Sequence, residues 1–159
     1  MRTQLYDHPP PLSTRSFFAR ASAVLGYDIA SLCLNEPAKL STTAFSQPAI
    51  MVTQLATACC SPDLVACPAG LAPVLKEAAE VTKNDCHPAA TVTHVAGFSL
   101  GEYAALVFAG AISFEDGVRL IQLRAEAMEQ ACAEAPGGMV TVSILPLQTP
   151  IYVYFALYT

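Results

Sequence analysis

One stretch constrains this chain more than any other: Thr91-Val92-Thr93-His94-Val95-Ala96, then Gly97-Phe98-Ser99-Leu100-Gly101, then Glu102 to Ala109. The short β-branched segment reads as a buried strand. The last segment reads as a helix that stops at Gly110. A serine between two glycines at that junction describes a tight strand-to-helix turn that pushes a hydroxyl out at the end of a sheet. The turn needs residues without a Cβ where the chain doubles back. It also aims the first amides of the helix at the serine, so the Leu100 N–H can face a developing oxyanion. Ser99 is therefore the candidate nucleophile and Leu100 the candidate backbone oxyanion donor. The plainer alternative is a serine that only caps a helix.

Helices surround this turn. Ser13 or Thr14 can cap one through Phe17, Phe18, Ala21, Val24 and Leu25, ending near Gly26. A short piece follows from about Asp28 to Leu34. Ser46 can cap the next helix, with Pro48 in its first turn and an apolar face of Ile50, Met51, Leu55, Ala58 and Cys59. Ala72 to Val81 reads as another helix and Asn84 to Ala90 as a loop. Ser113 and Asp116 form a capping box for the clearest helix. Its stripe is Phe114, Val118, Ile121, Ala125, Met128 and Cys132, which Leu120 and Leu123 widen, and Glu115 can pair with Arg119. Met139 to Leu145 reads as one more strand. The fold class is α/β, with parallel strands among helices.

Arg124 falls inside the apolar arc of that helix, between Leu120 and Met128. A guanidinium there must reach the surface, pair, or bind an anion. A serine nucleophile also needs a base, usually histidine. His94 sits in the expected strand, several residues before Ser99, and about 3.3 Å of rise per residue carries it away from the hydroxyl. His8 and His87 lie beside prolines in loops that offer no supporting context.

Composition removes other classes. Hydrophobic residues make up 53% of the chain and charged ones 13%, which excludes disorder and a coiled coil. The eight basic residues are scattered and the net charge is −5, so no face exists for a nucleic-acid partner. The uncharged stretches Leu40–Pro62 and Ala135–Thr159 are broken by prolines and polar residues, so neither reads as a membrane span of about 20 apolar residues. The six cysteines show no C-x-x-C pair and no zinc spacing with histidine, so no metal site is expected. Met1 to Pro11 lacks the apolar core of a secretory signal, and reduced thiols in an intracellular compartment are expected.

The run Gly97 to Leu106, followed by Ala109-Gly110-Ala111-Ile112, resembles malonyl-CoA:acyl carrier protein transacylases and the acyltransferase domains of fatty acid and polyketide synthases. The likeness continues through Arg119, Leu120, Arg124 and Met128 to Gly138-Met139. Upstream it includes Leu25-Gly26-Tyr27-Asp28 and Phe45 to Ile50. It covers about Ser13 to Val142, and it looks most like animal mitochondrial forms. The resemblance implies a ping-pong reaction. Ser99 takes the malonyl group from malonyl-CoA, Arg124 pairs with the malonyl carboxylate, and the phosphopantetheine thiol of acyl carrier protein receives the group. No cofactor beyond the malonyl-CoA substrate is implied. A mitochondrial location is, or otherwise a cytoplasmic one.

The same resemblance divides the chain into 1–142, a partial acyltransferase domain, and 143–159, a divergent apolar tail. The first would be part of an α/β hydrolase-like large subdomain, with the ferredoxin-like small subdomain missing. The family's N-terminal Gly-Gln-Gly-Ser-Gln loop has no counterpart, and its catalytic histidine falls beyond Thr159. Weak or no turnover is the expectation for this chain alone. Two alternatives stay open: a truncated, non-catalytic form, and a serine esterase or thioesterase using the same elbow. Arg124 speaks against the latter, because a carboxylate clamp is pointless for a neutral acyl chain.

Overall fold

The computed structural model describes residues 12–60, 94–135, 138–144 and 151–157. The helix expected at 72–81 and the loop at 84–90 lie outside them, as do His8 and His87. In chain order the elements are α1 (Leu12–Leu25), α2 (Ile29–Asn35), α3 (Pro37–Leu40), α4 (Thr43–Cys60), α5 (Leu100–Phe108), α6 (Phe114–Glu134), β1 (Gly138–Ile144) and β2 (Ile151–Leu157).

Local chemistry sets several boundaries. Gly26, at φ +77°, closes α1 with its N–H on the Ser22 carbonyl. Asp28 caps α2 by accepting from the Ser31 N–H at 2.9 Å, and the Ser22 hydroxyl accepts from the Ile29 N–H at 3.1 Å. The two helices therefore meet at a pinned bend of 106°. Among the described residues no single helix is long and apolar enough to cross a membrane. Ser113 caps α6 by accepting from the Asp116 N–H at 3.1 Å, as the sequence suggests.

Helix α4 starts at Thr43, ahead of the expected cap at Ser46, and Pro48 lies within it. The earlier start has a tertiary cause. The Glu129 carboxylate of α6 accepts from the Ala44 N–H at 3.0 Å, so an acid from another helix satisfies an N-terminal amide of α4. The buried face also differs from the one expected. Met51, Val52, Leu55 and Ala56 are buried, whereas Ile50 is exposed.

The core lies where α1, α5 and α6 meet α4. Phe17 and Ala21 of α1, Val107 of α5, and Phe114, Val118, Ile121 and Ala125 of α6 join the α4 residues in it. The Phe17 and Phe114 rings pack edge-to-face with centroids 5.4 Å apart, a contact worth about 0.5–1.5 kcal/mol beyond its burial. Tyr27 packs edge-on against Phe45, and burial raises its phenol above the ordinary tyrosine value. The α6 stripe is buried only as far as Ala125. Cys132 is exposed, and Leu120 and Leu123 are 43% and 62% exposed, so they do not widen it.

Glu115 does not pair with Arg119. It pairs with Arg20 of α1, and Arg119 turns to Asp116 at 2.9 Å. Both members of the first pair are half-buried, where a charge-assisted bond is stronger than on an exposed helix face.

The expected strand at 139–145 forms as β1. Its partner is antiparallel, with Gly138 opposite Leu157 and Ile144 opposite Ile151. The two described strands are thus antiparallel, and the parallel pairing expected beside Ser99 is not found among the described residues. Of the strand expected at 91–96, residues 91–93 lie outside the described residues and 94–96 lie in no sheet. β-branching favours an extended chain, but a strand exists only through the ladder that pairs its amides and carbonyls.

Gly117 lies buried on α6, facing α5. A Cβ there would come 2.3 Å from Val107 Cγ2 and 3.0 Å from Met51 Cε. Helix propensity alone would make Gly117→Ala stabilising by about 1 kcal/mol. Overlap with the stiff, fully buried Val107 should instead make it destabilising by about 1–3 kcal/mol in urea unfolding. A gain in stability would contradict this packing.

Candidate active site

Ser99 is the only non-glycine residue with positive φ among the described residues, at φ 54° and ψ −110°. A β-carbon in that region costs about 1–3 kcal/mol and persists only when its surroundings hold it. Here the Ser99 N–H donates to Glu102 Oε1 at 2.9 Å, and the Gly101 N–H donates to the Phe98 carbonyl at 2.9 Å. The turn is closed from both ends. A Cβ on Gly97 would fall 2.0 Å from the Gly101 carbonyl oxygen, which as backbone cannot move aside. Gly97 is thus required by close approach. Gly101 is not, since nothing lies within 4 Å of the Cβ it would carry. The expectation that both glycines are needed for space holds only for the first.

Leu100 is the first residue of α5, so its N–H has no acceptor within the helix. It follows Ser99 directly and is placed to donate to an oxygen that develops beside the hydroxyl. Glu102 lies in the same turn, but its carboxylate is occupied by the Ser99 N–H.

Arg124, half-buried on α6, comes to the same point. Its Nη2 donates to Ser99 Oγ at 2.8 Å. Its Nη1 donates to Gln47 Oε1, and Cζ stands 5.8 Å from the centre of the Tyr103 ring. The structure therefore brings together Ser99, Leu100 and Arg124, the three site residues expected from the sequence. It also adds Gln47, which the sequence marks only as a member of the family-like run Phe45 to Ile50 and gives no role. Gln47 is 7% exposed and donates from Nε2 to Met128 Sδ at 3.3 Å. The available signal was a glutamine in a long uncharged stretch that forms an apolar helix.

An open groove of about 670 Å³ runs beside the elbow between α4 and α5. Ile50 and Ala58 form one wall, Ala104 and Phe108 the other, and residues 94–98 an end. His94 lines this groove and is exposed. Among the described residues no imidazole reaches Ser99 Oγ; its hydrogen-bond donor is Arg124.

The chain is similar to proteins of one known family. A family profile described as "Acyl transferase domain" matches residues 18–152. Over 129 residues the chain is 40% identical to the mitochondrial malonyl-CoA-acyl carrier protein transacylase of Homo sapiens, taking in 80% of this chain and 28% of that protein. The crystal structure of MCAT from Streptococcus pneumoniae matches with a TM-score of 0.59 and 36% identity, over 84% of this chain and 36% of that one. A malonyl-transacylase in complex with its type II PKS acyl-carrier protein matches with a TM-score of 0.53 and 27% identity, over 83% of this chain and 43% of that one. The chain spans less than a third of the human protein's length.

The two glycines of the elbow make a paired test. Gly97→Ala should destabilise the fold by about 3 kcal/mol or more, because the added methyl meets backbone. Gly101→Ala, within a helix and in open space, should be neutral or stabilising by up to about 1 kcal/mol. Urea unfolding of both variants checks this, and equal losses would contradict the close approach at Gly97.

Proposed function

Because the chain belongs to the acyl transferase domain family, we propose that its site serves the transfer of a malonyl group from malonyl-CoA to the thiol of an acyl carrier protein. The observation that carries this reading is the contact of Arg124 Nη2 with Ser99 Oγ at 2.8 Å. A fixed cation that touches the nucleophile can reach a carboxylate only if that carboxylate lies very close to the acyl carbonyl. Malonyl, with one methylene between the two, fits this condition. A neutral acyl chain would leave a half-buried guanidinium facing carbon, which argues against the esterase and thioesterase alternative.

The reaction follows from the groups in place. Ser99 Oγ attacks the thioester carbonyl and loses its proton to a base. No imidazole reaches it among the described residues, so that base comes from outside them. The Leu100 N–H donates to the oxyanion of the tetrahedral intermediate. The intermediate collapses with loss of coenzyme A as the thiol, which leaves malonyl esterified to Ser99. A carrier-protein thiol then attacks the ester carbonyl and regenerates the Ser99 hydroxyl. Throughout, Arg124 would hold the malonyl carboxylate through a charge-assisted pair.

The described helices would form part of an α/β hydrolase-like large subdomain, and 1–142 the acyltransferase portion of the chain. Acyl carrier protein is the proposed partner, in keeping with the similarity to a transacylase solved with its carrier protein. A mitochondrial location is supported by the similarity to the human mitochondrial relative.

Two substitutions test the assignment. Ser99→Ala should abolish covalent malonyl loading, read as intact mass after incubation with malonyl-CoA; undiminished loading would exclude Ser99. Arg124→Ala should weaken malonyl transfer far more than acetyl transfer, by about 1.5–3 kcal/mol, as expected for a charged hydrogen bond. Equal losses for the two acyl groups would sink the carboxylate clamp.

A further inference from the structure

We infer that Gln47 is a positioning residue: its carboxamide holds the Arg124 guanidinium against Ser99 and so sets the preference for acyl groups that end in a carboxylate. This rests on the acyl-transfer reading above. Gln47 is the buried polar side chain of the described core, 7% exposed on a helix whose other buried positions are apolar. Arginine has donors only, so the carboxamide must turn its oxygen to Nη1. Its nitrogen is then left with the Met128 thioether, a weak acceptor. Simple packing would be served better by an apolar residue, because a buried amide costs free energy unless well paired. The arrangement makes sense when the oxygen contact to Arg124 is what the position is for.

The choice of a neutral acceptor matters as well. Gln47 fixes one arm of the guanidinium fork, and Cζ lies over the Tyr103 ring, while Nη2 remains directed at Ser99. A carboxylate at position 47 would hold the fork equally well but would cancel its charge. An amide leaves a full positive charge for an incoming anion. The scaffold beneath is rigid, since the Glu129 carboxylate ties the start of α4 to α6 one residue beyond Met128.

The test uses the full chain with Gln47→Met, which keeps shape and removes the acceptor, and Gln47→Glu, which keeps the acceptor and adds charge. Two quantities are read: Ser99 loading from malonyl-CoA and acetyl-CoA, and the rate at which phenylglyoxal modifies Arg124, followed by peptide mass. For Q47M, malonyl loading should fall about tenfold or more through KM, with acetyl loading little changed. Arg124 should become more reactive to phenylglyoxal in the same variant. For Q47E, malonyl loading should fall at least as far, yet Arg124 should be no more reactive than in wild type. A folded Q47M that loses malonyl and acetyl loading equally, or whose Arg124 reactivity is unchanged, would overturn the inference. If wild type loads neither group, the phenylglyoxal rates decide alone, and unchanged Arg124 reactivity in Q47M overturns the inference.

Discussion

A guanidinium cannot be left half-buried among apolar helices without partners, and the way Arg124 is satisfied organises this site. Its donors go to Gln47 on α4 and to Ser99 at the head of α5, and its Cζ lies over the Tyr103 ring of α5. Three helices are thereby registered on one side chain. The arrangement is also incomplete in a useful way. Both oxygen partners are neutral, so the charge itself is uncompensated by any carboxylate in these contacts. A site built like this gains more from an anion than a salt-bridged arginine would.

The scaffold explains why the contact can be held. Ser99 sits in a strained backbone region, and a strained residue relaxes unless its neighbours are fixed. The close approach of Gly97 to the Gly101 carbonyl and the Glu102 carboxylate on the Ser99 amide fix the turn locally. Val107 against Gly117 fixes α5 on α6, and the Arg20–Glu115 pair with the Phe17–Phe114 rings fixes α6 on α1. Each of these draws one more element toward the point where Ser99 and Arg124 meet.

What could be read from the sequence is what depends on near neighbours. The turn at Ser99, the stops at Gly26 and Gly110, and the Ser113 cap involve residues within a turn of each other, and these local features form. Arg124 could be singled out because a cation in an apolar arc is locally anomalous. Gln47 stood out only as part of the family-like run Phe45 to Ile50, since its contact comes from a residue 77 positions away. The same holds for Glu129 capping α4 across 85 positions and Glu115 choosing Arg20 over Arg119. Gly117 gave no sign either, because the need for a missing side chain arises only where another helix presses on it. The strand before Ser99 could be read only as a tendency, because pairing depends on a partner elsewhere, and 94–96 lie in no sheet among the described residues.

The central claim is that Arg124 receives the carboxylate of the acyl group. It can be tested without turnover by labelling the arginines of the full chain with nitrogen-15 and assigning the Arg124 Nε–H resonance through its loss in Arg124→Lys. Titration with malonyl-CoA should shift that resonance at concentrations where acetyl-CoA, which shares every group but the carboxylate, leaves it in place. An equal response to the two thioesters, or no response to malonyl-CoA when other arginines do respond, would contradict the account.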